Sequence, residues 1–110
     1  MFYSKNKKSI NAFLLAAESI GLRDEDANNA KDYIKHREYE LSFEIIVEQL
    51  YEFDIEINKN FYDLALKVAE NLDINEDRFI FLKELIRDDF KIPKPVNLEL
   101  SKIIASLSKK

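Results

Sequence analysis

Apolar residues recur at helical spacing along most of the chain. Ile10, Phe13, Leu14 and Ala17 stand at i, i+3, i+4 and i+7, the spacing of one apolar helix face. Gly21 follows where a left-handed residue closes a helix, so a first helix is predicted over about residues 5–20. Asp24-Glu25-Asp26 then offers an N-cap and puts negative charge in a first turn. Ala27, Ala30 and Ile34 repeat on one face of this second helix, which runs to about His36. From Arg37 the pattern strengthens: Tyr39, Phe43, Ile46, Leu50 and Phe53 step by +4, +3, +4, +3, and Val47 widens the stripe. That breadth predicts a central helix with a large buried face.

Asp54-Ile55-Glu56-Ile57 alternates polar and apolar residues as a strand does. With no partner strand in the sequence, an extended connector is expected. Asn58 or Asn60 caps a fourth helix carrying Phe61, Leu64, Val68 and Leu72, and Asn75 caps a fifth carrying Phe79, Leu82 and Ile86 with Leu85 beside them. Lys91-Ile92-Pro93-Lys94-Pro95 is expected to turn or run extended, because proline lacks a donor and pushes the residue before it out of the α region. Asn97 caps a last short helix, about 97–108, in which Leu100, Ile103, Ile104 and Leu107 share a face.

Composition agrees with this series. A single Gly and two Pro in 110 residues are too few for the turns of an all-β domain. Eight Phe and five Tyr supply the aromatic bulk that disordered chains lack. The expected architecture is all-α: one domain over residues 1–110, an antiparallel bundle of five to six helices. Phe and Tyr of the third, fourth and fifth helices are expected to fill its core.

Little in the sequence points to catalysis. Cys is absent and His36 is the single histidine, which excludes thiolate nucleophiles, disulfides and a multi-histidine metal site. His36 stands near a helix C-terminus, where the dipole welcomes it, and nothing at fixed spacing makes it a general base. Neither Asp24-Glu25-Asp26 nor Asp54-Ile55-Glu56 continues into the glycine and terminal glutamate of a calcium loop. No metal, no cofactor and no enzymatic activity are expected. The N-terminal stretch is amphipathic rather than continuously apolar, so neither a signal peptide nor a membrane span is expected, and the cytoplasm is the expected location. A net charge of −4 and a pI near 5.1 argue against direct binding of nucleic acid.

The charge is unevenly placed. Residues 37–57 hold one basic and seven acidic residues, a net −6 that exceeds the −4 of the whole chain. Within that block Glu40, Glu44, Glu48 and Glu52 repeat at i, i+4, with Asp54 and Glu56 just beyond, and no Lys or Arg interrupts the ladder. Like charges at this spacing cost a helix about 0.2–0.5 kcal/mol per pair, so the three pairs cost about 1 kcal/mol. Either basic residues of other helices relieve the ladder, or it is a docking surface for a basic partner, with tyrosine or phenylalanine as buried anchors.

A family resemblance is carried by Asp32-Tyr33-Ile34-Lys35-His36-Arg37-Glu38-Tyr39-Glu40-Leu41-Ser42-Phe43-Glu44, then Glu48-Gln49-Leu50-Tyr51-Glu52, Ile55-Glu56-Ile57, Phe61-Tyr62 and Arg78-Phe79-Ile80-Phe81-Leu82-Lys83-Glu84-Leu85. Over about residues 27–87 the chain resembles the MafI and contact-dependent growth inhibition (CdiI) group of bacterial immunity proteins. Arg37 stands where that group often has glycine. The resemblance implies a protein that neutralises a cognate toxin domain, commonly a nuclease, in a tight one-to-one complex. Joined to the charge pattern, it makes Glu40, Glu44, Glu48, Tyr51, Glu52, Asp54 and Glu56 the candidate toxin-binding residues. The alternative is a helical adaptor or regulator that docks, on a partner or on itself, through Ile103, Ile104 and Leu107.

Overall fold

A computed structural model describes residues 2–87 and 94–108. Helix α1 covers Phe2–Ile20, α2 Asp24–Lys35, α3 Tyr39–Glu52 and α4 Lys59–Leu72; two 3-10 segments follow, Glu76–Arg78 and Ile80–Leu85, and α5 covers Lys94–Ser108. Among the described residues there is no strand, and the fold is an all-α bundle. Helix α2 packs chiefly on α3, while α1 touches all four other helices.

That placement makes α1 the centre of the bundle. Phe13 stacks on Phe43 of α3 at 4.8 Å between ring centroids and on Phe61 of α4 at 5.2 Å, and Phe43 meets Phe79 edge-on at 5.2 Å. All four rings are fully buried. The core therefore draws on the first helix as much as on the third and fourth. Its apolar face also buries Ser9, whose hydroxyl accepts a 2.6 Å hydrogen bond from Asn71 Nδ2 of α4. On the other side, the buried Ser42 hydroxyl of α3 donates to the Ala30 carbonyl of α2 at 3.0 Å.

Helices α1 to α4 end alike. Gly21, Arg37, Asp54 and Asp73 each take a positive φ, of 119°, 64°, 51° and 61°. The next N–H reaches back five residues in each case: Leu22 to Ala17, Glu38 to Tyr33, Ile55 to Leu50 and Ile74 to Ala69. This is the Schellman closure, which satisfies the last carbonyls of a helix. Leu22 and Ile74, just past their closures, are buried. Three of these left-handed positions carry side chains, where glycine adopts such φ without strain. Arg37, between α2 and α3, is one of them.

Several sequence expectations need correction. Asp24 is not the cap of α2; Arg23 occupies that position without a side-chain cap bond, and the three acids fill the first turn. The fourth helix does begin at an asparagine cap: Asn58 Oδ1 accepts from the Phe61 N–H at 2.8 Å. The fifth predicted α-helix is instead the 3-10 pair, opened by Asn75, whose side chain accepts from the Asp77 N–H. Phe79, Leu82 and Leu85 are the buried residues there, and their even spacing of three is the repeat of a 3-10 helix. Tyr62 of α4 holds this segment by donating to Glu76 at 2.6 Å. Burial and that bond push its phenol pKa well up. The Ile55–Ile57 connector is extended, and Ile57 pairs in a single parallel bridge with Ile86. Its N–H donates to the Leu85 carbonyl at 3.0 Å and its carbonyl accepts from the Arg87 N–H at 2.8 Å.

Helix α5 starts before Asn97, at Lys94, with Pro95 in its first turn, where the missing donor costs nothing. The turn expected at Lys91-Ile92-Pro93 lies outside the described residues. Leu100 and Ile103 are buried where α5 packs on α1 and α4.

Candidate functional site

The glutamate ladder lies along α3, and the structure divides it in two. At its N-terminal end Arg78, the last residue of the first 3-10 segment, places one guanidinium nitrogen on Glu40 and another on Glu44. The fork of an arginine suits two carboxylates one turn apart. The Glu40–Glu44 repulsion, one of the three like-charge pairs, is thus relieved by a residue 38 positions along the chain from Glu40.

The C-terminal half is open. Glu48, Glu52 and Asp54 are exposed, and no side-chain bond or ion pair reaches them among the described residues. Between them stands Tyr51, 42% exposed. Its hydroxyl donates to Glu84 Oε1 at 2.8 Å, and its ring meets Phe81 edge-on at 5.0 Å between centroids. The hydrogen bond to Glu84, and that carboxylate's charge, hold the phenol above its usual pKa. Glu56, the last of the predicted contact residues, is exposed and lies 3.6 Å from Arg87 Nε. Glu40, Glu44 and Glu56 therefore have basic partners within the chain, whereas Glu48, Glu52 and Asp54, close to Tyr51 in sequence, have none among the described residues.

Phe53, expected in the buried stripe, is also 42% exposed. The Arg23 guanidinium carbon sits 3.8 Å above its ring centroid, a cation–π contact. Arg23 is itself held by Asp26: Nε donates to Oδ2 at 3.0 Å, while Gln49 Nε2 of α3 donates to Oδ1 at 2.9 Å. Asp26 is only 2% exposed. Burial raises its carboxyl pKa, but the hydrogen bonds from Arg23 and Gln49 and the charge of Arg23 outweigh that and hold it below the ordinary carboxylate value. The same hydrogen bond holds the Arg23 guanidinium pKa up. Sequence reading missed this network and the Arg78 fork, because each joins residues with no periodic relation.

Elsewhere the surface offers little for catalysis. An open hollow of about 330 Å³ at the N-terminal end of α3 is lined by Asn6, Glu38, Leu41 and Leu72 among others, and neither Asp26 nor Tyr62 lines it. His36 is exposed at the end of α2, its Nδ1 2.9 Å from the Asp32 carbonyl oxygen, so that nitrogen carries a proton and serves the helix end. Among the described residues no three His, Cys, Asp or Glu are grouped to hold a metal ion, and no helix is long and apolar enough to cross a membrane. Comparison with known proteins returns no matching family, no matching curated protein and no matching solved structure.

Proposed function

We propose that this chain is an immunity-type binding protein, with no catalysis of its own, that neutralises a basic toxin domain in the cytoplasm. It docks the C-terminal half of α3 on that domain. The observation that carries this reading is the arrangement of Glu48, Glu52 and Asp54, exposed and without partners among the described residues, close in sequence to the exposed Tyr51. Glu48 and Glu52 repeat the spacing of Glu40 and Glu44, the pair that Arg78 spans within the chain. The open pair suits a partner's arginine in the same way. Tyr51, already oriented by Glu84 and Phe81, supplies an aromatic anchor that loses little freedom on binding. A nuclease, whose substrate is polyanionic, presents the basic surface such a face requires, and carboxylates standing where phosphates bind would block it.

The adaptor reading draws less support. Leu100 and Ile103 of α5 are buried against the chain's own α1 and α4, which leaves the helix with a reduced apolar face for a partner.

Capture of the protein with its partners from the lysate of its native cell, at low and at high salt, tests the proposal. The expected result is a stoichiometric partner from the C-terminal region of a larger secreted protein, retained at low salt and depleted at high salt. Recovery of the chain alone, or of a regulatory complex indifferent to salt, overturns it.

A further inference from the structure

We draw no further inference here: the strongest candidate, the open Glu48 and Glu52 pair beside Tyr51 on the last turns of α3, belongs to the face already proposed for docking, and nothing in the structure lies on it to show which cation covers it.

Discussion

At Asp73 the chain leaves α4 with φ 61°, and a carboxylate there faces the negative end of the helix dipole. Left-handed strain and an unfavourable charge fall on one exposed residue, so Asp73→Gly removes both. The expected gain is about 0.5–1 kcal/mol in urea unfolding, after allowing for the greater freedom of glycine in the unfolded chain. A loss of stability would mean that the side chain does more than tolerate its backbone. Asp26 has the opposite character, since its carboxylate is buried and both oxygens are bonded. A carboxyl pKa depressed by folding adds stability that is fully present above the unfolded value of about 3.9 and disappears as pH falls through the lower folded value. Asp26→Asn should flatten the unfolding free energy across that acid window and lower it at neutral pH by about 1–3 kcal/mol. An unchanged acid limb in the variant would show that other carboxylates control acid unfolding.

Among the elements, the first four helices were legible from apolar spacing because each buries a face of period 3.6. Their ends were harder to read. Three Schellman closures use Arg37, Asp54 and Asp73 in place of glycine, in a chain with one glycine and many aspartates, so residue type alone does not mark which of them ends a helix. The segment after Asn75 reads as α-helix because Phe79, Leu82 and Ile86 step by +3 and +4, whereas the residues it buries are Phe79, Leu82 and Leu85, at the even spacing of a 3-10 turn. Its contacts with Tyr62 and with Ile57 favour the tighter form. The prolines near α5 suggested a later start than Lys94, since sequence alone does not show that Pro95 falls in a first turn. Leu100→Ala should cost about 2–4 kcal/mol in thermal or urea unfolding, because its side chain fills space between α5 and the rest of the core. A cost near zero would mean that α5 stands apart from the bundle. The ladder yields a contrast within one helix. Arg78→Gln, which leaves Glu40 and Glu44 uncompensated, should destabilise by about 0.5–1 kcal/mol, whereas Glu48→Gln should be neutral or stabilise by a few tenths, as it removes like-charge repulsion. Equal effects would refute the division of the ladder.

Across the whole molecule, the same α3 that buries Phe43, Ile46 and Leu50 in the core carries the open carboxylates on its outer side. A rigid, well-packed helix thus presents the proposed docking face, and little ordering is required when a partner arrives. The concentration of charge in residues 37–57 was visible in the sequence. Which carboxylates are already answered within the chain was not, because Arg78, Glu84 and Arg87 approach α3 and the connector after it from a separate segment. The most direct test measures the affinity of the partner recovered from lysate for the wild-type chain and for the Glu48→Gln/Glu52→Gln variant, by calorimetry at two salt concentrations. Two partly exposed ion pairs contribute about 1–2 kcal/mol, so the account predicts binding weakened roughly tenfold and a shallower dependence on salt, with unfolding stability preserved. Unchanged affinity and an unchanged salt dependence in a stably folded variant would contradict the assignment of this face.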